Sequence, residues 1–414
     1  MPALPPEPEL SPARNIYVFG ATSFLNDTAT EMAYWILPAF LVSLGAGPAQ
    51  LGLIEGVAES VASFAKLFSG YLTDHIRRRK PVVVGGYFVA NAVKPLLALV
   101  SSWPQILLIR FADRLAKGVR GAPRDVMVAE SVPKDRLGSA YGLIQAMDSA
   151  GAIVGPLTAL MLLAHHRIRT VFWAAAIPGA LCVLVALLGI RETRKKEGGS
   201  TESGASAPTP SNKAGSDGEK SKIKIHLPAT FYVVLIAVTL FSLGNSSDMF
   251  LVMRAQNVGI AVALAPLLGL VFNITYTVAS WPAGWLSDHV SRRLIASIGY
   301  VIFAAVYFVF GRAPSTPAIW IAMAIYGFYY ALTQPVLKAL VVETVGENVR
   351  GRALGIYFFV TSLATLAASL ITGELWKLYG PGMPFYASAV LALISAALLQ
   401  GARSLKPSTS IRSQ

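Results

Sequence analysis

The chain has 414 residues, of which 54% are hydrophobic and only 14% are charged. Since a water-soluble protein carries about 25% charged residues, this composition excludes a soluble globule and predicts an integral membrane protein. The apolar runs are long and continuous, whereas a membrane β-barrel has alternating segments of roughly ten residues, so we expect an all-α protein. The net charge of +13 does not indicate a nucleic-acid partner, because the basic residues lie in short loops between apolar runs.

The apolar runs predict twelve transmembrane helices in two sets of six. The first set lies near residues 16–44, 50–72, 81–101, 104–122, 138–164 and 170–190. The second set lies near residues 229–252, 258–286, 294–312, 317–341, 352–376 and 383–402. Each run is close to the roughly 20 residues that a helix needs to cross a bilayer. We therefore expect two six-helix bundles, over residues 16–190 and 227–402.

Three polar segments lie outside the bundles. They are the N-terminal tail 1–15, the C-terminal tail 403–414, and residues 191–226. The middle segment is rich in Ser, Gly, Glu and Lys and has too little apolar content to build a core, so it is predicted to be a flexible linker. The N-terminal tail lacks the apolar core of a signal peptide, so we expect the first helix to be retained.

Lys and Arg are concentrated on the side of the predicted membrane that holds both termini and the linker. The exceptions are Lys66, Lys94, Arg110 and Arg114 within the spans, and Arg167, Arg169, Arg254, Arg312 and Lys377 on the opposite side. Cytoplasmic loops of membrane proteins carry an excess of Lys and Arg. We therefore expect a multi-pass protein of the plasma (inner) membrane with both termini in the cytoplasm.

The two sets of helices are related by an internal repeat. Residues 128–143 align without gaps with residues 341–356, and GYLTDHIRRR from Gly70 matches GWLSDHVSRR from Gly284. Many alternating-access transporters are built from such repeats, with the substrate site near the bilayer midplane between them. The repeat therefore predicts a secondary transporter.

The loop after the second helix resembles a signature of the major facilitator superfamily, and it recurs after the eighth helix. Its residues are Gly70, Asp74 and Arg78, followed in the second copy by Gly284, Asp288 and Arg292. In that family the glycine permits close helix approach, while the aspartate caps a neighbouring helix and pairs with basic groups. The resemblance implies a cytoplasmic gate at these six residues, although His75, Arg77 and Ser291 depart from the usual pattern.

Arg110 in the fourth helix resembles the family's membrane-embedded arginine, which is associated with proton coupling. An arginine inside the bilayer costs roughly 2.5 to 3.5 kcal/mol on insertion scales and must face partners or a cavity. A structural ion pair with Asp113 or Asp148 is the alternative. The last charged residues of the series that follows Arg110, up to Asp125, are expected to run into the cytoplasmic loop.

In the fifth helix, Gly142, Gly151, Gly155 and Pro156 reproduce the spacing of the family's antiporter signature. Glycines at this spacing also let two helices pack backbone to backbone, so packing alone is the alternative. The signature is more frequent in proton-coupled exporters of the superfamily, so the resemblance favours export.

Embedded charge is concentrated in the first half of the chain. The candidates for proton coupling are Asp27, Glu31, Glu59, Arg110, Asp113 and Asp148. Asp27 and Glu31 are four residues apart and share a helix face, as do Glu55 and Glu59. Glu55 ranks below the candidates, because its position near the outer boundary predicts that it is solvated.

The second half carries aromatic and neutral polar residues where the first half carries charge. The candidates for a substrate cavity are Asn245, Asp248, Asn273, Tyr276, Tyr326, Tyr330 and Gln334. An aromatic stripe on a membrane helix is most often packing, but at a cavity it suits amphipathic organic substrates.

These features favour a transporter that works by alternating access and exports a small organic or amphipathic compound in exchange for protons. One alternative is a proton- or sodium-coupled importer or facilitator. Another is a transport-dead sensor or assembly scaffold, which would have no need of embedded charge. We expect no enzyme activity, metal or cofactor, since the sequence has no phosphate-binding loop, nucleophile elbow or metal-ligand cluster. The expected partners are a small-molecule substrate, protons or Na⁺, and the lipid bilayer, and the protein is expected to be a monomer.

Overall fold

The protein folds as an all-helical chain in the computed structural model, which describes residues 13–76, 78–132, 137–193, 227–345 and 350–401. The α-helices in chain order are α1 (Ala13–Tyr34), α2 (Leu37–Ser43), α3 (Pro48–His75), α4 (Lys80–Val93), α5 (Trp103–Glu130), α6 (Leu137–Leu163), α7 (Ile168–Ala174), α8 (Ala176–Gly189), α9 (Ala229–Gly244), α10 (Met249–Asn257), α11 (Ala265–His289), α12 (Arg292–Arg312), α13 (Thr316–Glu343), α14 (Arg350–Tyr379) and α15 (Met383–Gly401). The two predicted tails, except for residues 13–15, and most of the predicted linker, 194–226, lie outside the described residues.

These helices form the twelve predicted spans. Three spans are interrupted α-helices, namely α1 with α2, α7 with α8, and α9 with α10, and short 3₁₀ segments extend α4 and precede α11. Eight helical stretches of the described residues are long and apolar enough to cross a membrane by length and composition. Four spans are not among the eight, namely α1 with α2, α3, α5 and α13, and the first three of these contain most of the embedded charge.

Helix α5 extends eight residues beyond its predicted end at residue 122. Its start is marked by Pro104 in the first turn and by Gln105, whose side chain accepts a hydrogen bond from the Ser102 N–H at 3.3 Å. It then continues to Glu130, so residues 117–125 lie on a helix. The expectation that the charged residues beyond 122 lie in a loop was wrong, because α5 continues through them and their charges line a polar cavity on one side of the helix.

Two close helix pairs build the first half. Helix α6 packs on α1, where a Cβ added at Gly151 would lie 2.6 Å from Phe24 O and one at Gly155 would lie 2.7 Å from Thr28 O. Helix α5 packs on α3, where a Cβ at Gly118 would lie 2.6 Å from Ala62 O. The glycines therefore allow each pair to approach at backbone distance.

We call the membrane side that holds Thr193 and Leu227 the linker side, and the opposite side the far side. The start of the first half meets its end at the linker side, where Asn15 Nδ2 donates to Arg191 O at 3.1 Å. The two halves meet through α3 against α14 and α6 against α11. Ser60 Oγ donates to Ser362 O at 3.2 Å in the first contact, and Asn273 Nδ2 donates to Ala152 O at 3.2 Å in the second.

The far side of this interface is tightly packed. A Cβ at Gly52 would collide with Ser369 O, and one at Gly373 would lie 2.6 Å from Pro48 O. The indole of Trp35 lies directly against Gly269 of α11. The far-side ends of the two halves are therefore in direct contact.

Candidate functional site

A buried ion pair lies in the far-side part of the first half. Arg110 Nε and Nη2 donate to Glu55 Oε1 at 2.9 and 2.7 Å, and Nη2 also donates to Oε2 at 2.9 Å. Glu55 is 0% exposed and Arg110 is 5% exposed. Removing one partner of such a pair leaves an uncompensated buried charge, so each residue depends on the other.

The expectation that Glu55 is solvated is therefore wrong. Its place near the start of α3 suggested contact with the outer boundary, but the second half covers this part of the helix. A Cβ at Gly56, beside Glu55, would lie 3.1 Å from Leu366 O of α14. The depth of Glu55 is set by packing between the halves rather than by its position along α3.

The ion pair continues into a longer network within the first half. Arg110 Nη1 lies 3.9 Å from Asp113 Oδ2, and Lys94 Nζ lies 3.8 Å from Asp113 Oδ1. Lys94 Nζ also donates to Asn91 Oδ1 at 3.2 Å. Two partners were predicted for Arg110. Asp113 lies at 3.9 Å, close to the longest distance that counts as an ion pair. Asp148 lines the polar cavity, which does not include Arg110.

The network also reaches the second half. Ser247 lies in the interruption between α9 and α10, and its hydroxyl donates to Glu55 Oε2 at 3.1 Å. Interrupted helices in transporters commonly expose polar groups at the interface between repeats. This hydrogen bond joins the two halves at the far side.

A polar cavity of about 260 Å³ lies in the linker-side part of the first half. Its acidic lining residues are Asp27, Glu59, Asp125 and Asp148. Its basic lining residues are Lys66, Arg114, Lys117, Arg120 and Arg124. Of the six proposed embedded-charge residues, Asp27, Glu59 and Asp148 line the cavity, whereas Glu31, Arg110 and Asp113 do not.

Two opposite walls form this cavity. One wall is the α1 and α6 pair, which contributes Asp27 and Asp148. The other is the α3 and α5 pair, in which Arg114 Nη2 lies 3.3 Å from Glu59 Oε1 and Arg124 Nη2 lies 3.1 Å from Asp125 Oδ1. Within the described residues, no ion pair of 4.0 Å or less joins the two walls.

The basic side of this cavity was not predicted. Lys117 and Arg120 were placed near the cytoplasmic end of the fourth helix and were not proposed as site residues, yet they continue a helical series from Arg110 through Arg114 to Arg124, at spacings of three or four residues. Such spacing places side chains on one helix face. The periodicity was therefore the signal that could have found them.

Glu31 is hydrogen-bonded to an aromatic partner and does not line the polar cavity. Its Oε2 accepts a hydrogen bond from Trp35 Nε1 at 2.7 Å. Trp35 is 2% exposed and packs against the second half at Gly269 and Phe272, with ring centroids of Trp35 and Phe272 6.3 Å apart. Glu31 thus orients a side chain of the interface.

Several candidates in the second half belong to an aromatic cluster. Asp248 accepts hydrogen bonds from Tyr326 Oη at 2.7 Å and from Tyr330 Oη at 3.3 Å. Asn245 Nδ2 donates to Tyr329 Oη at 3.1 Å, and Tyr326 is 0% exposed. The structure places Asn245, Asp248, Asn273, Tyr276, Tyr326, Tyr330 and Gln334 outside the lining of the polar cavity.

The predicted gate and one residue of the glycine motif are only partly described. The side chains of Asp74 and Asp288, and the surroundings of Gly70, Gly142 and Gly284, lie outside the described part of the chain. Arg292 Nη1 donates to Glu343 Oε2 at 3.3 Å, and Arg78 is exposed. Pro156 is buried next to Gly155 in α6.

Comparison with known proteins agrees with this architecture. The model of the Major Facilitator Superfamily matches residues 19–253 and, as a second copy, residues 234–413. An uncharacterised MFS-type transporter of Methanocaldococcus jannaschii is 34% identical over 398 residues, which cover 94% of each chain. The multidrug resistance protein MdtG of Escherichia fergusonii is 30% identical over 185 residues, or 43% of this chain and 45% of the relative.

The same fold is found in solved structures. A bacterial homologue of the human lysosomal transporter Spinster, in an inward-facing and unoccupied conformation, superposes with a TM-score of 0.72 at 15% identity. The match covers 98% of this chain and 100% of that one. The helices, the repeat and these matches together show that this multi-pass membrane protein belongs to the Major Facilitator Superfamily of transporters.

Proposed function

We propose that the protein is a proton-coupled secondary transporter that exports a small organic or amphipathic compound by alternating access. The observation that carries this proposal is the polar cavity of the first half, in which two carboxylates face a basic wall. Embedded charge is expensive and marks substrate and ion pathways in membrane proteins. A scaffold or sensor would gain nothing from holding these charges around a cavity.

Asp27 and Asp148 are the proposed proton carriers. Both line the cavity, and neither has a Lys or Arg nitrogen within 4.0 Å among the described residues. Glu59, in contrast, is held by Arg114, and Glu31 is bound to Trp35. Arg110 is engaged by Glu55, so we assign it to the contact between the halves rather than to the carriers.

The proposed cycle alternates which ends of the halves are in contact. The far-side ends are packed together, while the described cavity lies towards the linker side. The Ser247 and Glu55 hydrogen bond is a contact that only this state makes, so its loss biases the equilibrium between states. We propose that Gly70, Asp74 and Arg78, with Gly284, Asp288 and Arg292, form the opposing gate at the linker side.

Export is favoured by two observations. The glycine spacing in α6 is that of the antiporter signature, and a relative that matches part of the chain is named as a multidrug resistance protein. The excess of Lys and Arg at the linker side favours an inner-membrane protein with both termini in the cytoplasm. We further propose that a monomer is sufficient for transport, since each chain contains both repeats.

The direction of coupled flux tests this proposal. Purified protein is reconstituted in liposomes, a pH gradient is imposed, and a panel of labelled solutes is followed, with protein-free liposomes and a protonophore as controls. Exchange predicts that a solute moves against its own gradient into the acidic compartment, opposite to the protons. Accumulation in the alkaline compartment would show a symporter, and flux unaffected by the gradient would show a facilitator. The absence of flux for every solute would favour the scaffold.

A further inference from the structure

We propose that the cavity of the first half binds a small zwitterion, with an amine at Asp27 and Asp148 and a carboxylate or phosphate at Lys117 and Arg120. The assignment rests on the proposed transport function and names the substrate class of its site. It narrows that class from amphipathic organic compounds in general to small, strongly polar compounds that carry both charges.

The basic wall carries more positive charges than negative ones. Glu59 and Asp125 each pair with an arginine of this wall, but Lys66, Lys117 and Arg120 have no carboxylate oxygen within 4.0 Å among the described residues. These three side chains all line the cavity. The wall therefore presents unpaired cations to whatever occupies the space.

Among these three residues, Arg120 gives the strongest argument for an anionic group in the cavity. It is 5% exposed, its guanidinium carbon lies 4.4 Å from the centroid of the Tyr87 ring, and its Nη1 donates to Gly86 O at 3.4 Å. An aromatic ring and a carbonyl oxygen orient a guanidinium but do not neutralise it. A buried arginine within a membrane span is tolerated when it meets a counter-charge, and an anionic group in the cavity supplies one.

The acidic wall carries negative charge that no basic residue within 4.0 Å compensates among the described residues. Asp27 Oδ1 accepts a hydrogen bond from the amide of Asn26 at 3.1 Å, and an amide leaves the charge of a carboxylate uncompensated. Asp148 lies on the neighbouring helix of the same wall. A protonated amine between these two carboxylates would pair with both, and it would occupy the place of the protons that we assign to them.

The two walls are each held together by packing. Gly151 and Gly155 join α6 to α1, and Gly118 joins α5 to α3, at distances that leave no room for a side chain. The opposite charges are thus presented across a gap by two separate helix pairs. A lone anion would leave the two acids unpaired, and a lone cation would leave the three bases unpaired, whereas a zwitterion matches both walls.

The size of the cavity also favours a small polar compound. Its volume of about 260 Å³ lies below the roughly 300 to 1,000 Å³ of pockets that hold drug-sized ligands. Much of the remaining lining is polar, with Ser23, Asn26, Ser63 and Tyr87. Apolar, multi-ring compounds would find little complementary surface here.

Matched probes test the assignment directly. The full-length protein in lipid nanodiscs is titrated with short ω-amino acids, from glycine to aminohexanoate, and with aminoalkylphosphonates of similar length. Each probe is compared with the acid that lacks its amine and with the amine that lacks its acid. Binding is followed by the rise in Tm. We expect at least one zwitterion to bind about tenfold or more tightly than either matched compound, because each of those leaves one wall unpaired.

Variants separate the two walls. Lys117→Gln and Asp148→Asn should each weaken binding of that zwitterion about tenfold, and Lys117→Gln should leave binding of the matched amine unchanged. Lys377→Gln, an exposed substitution on α14 away from the cavity, is the control and should bind as wild type does. The proposal is overturned if no zwitterion in the set raises the Tm of the wild-type protein. It is also overturned if the matched acid binds as tightly as the zwitterion and Asp148→Asn has no effect.

The proposal on zwitterion binding and the proposal on transport can fail independently of each other. If a zwitterion binds but is not exchanged in liposomes, the transport proposal fails and the binding assignment stands. If the liposomes exchange other solutes and Lys117→Gln transports them at the wild-type rate, the binding assignment fails and the transport proposal stands.

Discussion

The two halves of the chain share a six-helix plan but bury different side chains in corresponding helices. In the first half, α5 carries Arg110, Asp113 and Arg114, each buried and in contact with a charged partner. In the second half, α13 carries Tyr326 and Tyr329, which lie within a cluster of stacked and edge-packed rings. The same helix position therefore serves ion pairing in one half and aromatic packing in the other.

Both halves therefore keep the apolar surfaces and the helix packing of the fold, whereas the side chains buried inside each half differ. Apolar spans and close helix pairs suffice to build each half, so the interior of each half is free to specialise. We infer that the first half binds ions and substrate, while the second half is a rigid partner that moves against it. Asp248 is consistent with this division, because its carboxylate is already bound by two tyrosines.

The largest expected effect concerns the charged half. Arg110→Gln leaves Glu55 buried without its partner, and such a loss costs about 3 to 5 kcal/mol in the free energy of unfolding. Unfolding in mixed micelles measures this cost. The double variant Glu55→Gln with Arg110→Gln should recover much of the lost stability, because no unpaired charge remains. Equal stability of the single variant and the wild type would show that the ion pair does not hold the first half together.

A smaller effect, with opposite signs in the two halves, is expected for glycine substitutions. Gly155→Ala places a Cβ 2.7 Å from Thr28 O and should destabilise the first half by about 1 to 3 kcal/mol. Gly355→Ala in α14 meets nothing within 4 Å and should stabilise its helix by about 0.5 to 1 kcal/mol. The same unfolding assay applies to both. If Gly155→Ala is also stabilising, the close contact of α6 with α1 is not present in the protein.

An effect of about the same size as that of the glycine substitutions is expected in the aromatic half. Tyr326→Phe removes one hydrogen bond to Asp248 and keeps the ring, while Tyr330 still donates to the same carboxylate. We expect a loss of about 1 to 2 kcal/mol in the free energy of unfolding, and coupled flux that still responds to the pH gradient. Loss of coupling without loss of stability would place a coupling residue in the second half and weaken the division between the halves.

Much of the fold followed from the sequence, because apolar runs of membrane length and a repeated loop are strong signals. The twelve spans and the superfamily were predicted and are confirmed. The interruptions between α1 and α2 and between α9 and α10 were not predicted, since a break of two to four residues leaves the apolar character of a span almost unchanged.

The site was less predictable, because burial depends on contacts between helices that are distant in the sequence. Glu55 was placed near solvent from its position along one helix, whereas packing against the second half buries it. Lys117 and Arg120 were not proposed as site residues because they lie near the cytoplasmic end of the predicted fourth helix, although their helical spacing from Arg114 was visible. The aromatic residues of α13 were visible in the sequence as a stripe, but composition alone did not distinguish packing from a cavity.

We propose that carboxylates of the first half couple transport to protons. Flux in liposomes under an imposed pH gradient is the most direct test of this coupling. Asp27→Asn and Asp148→Asn are compared with Asp248→Asn, the matched change in the second half. We expect one or both of the first two variants to lose gradient-driven accumulation while still exchanging solute down its own gradient, and Asp248→Asn to keep accumulation. Accumulation at the wild-type rate in both Asp27→Asn and Asp148→Asn would contradict the account.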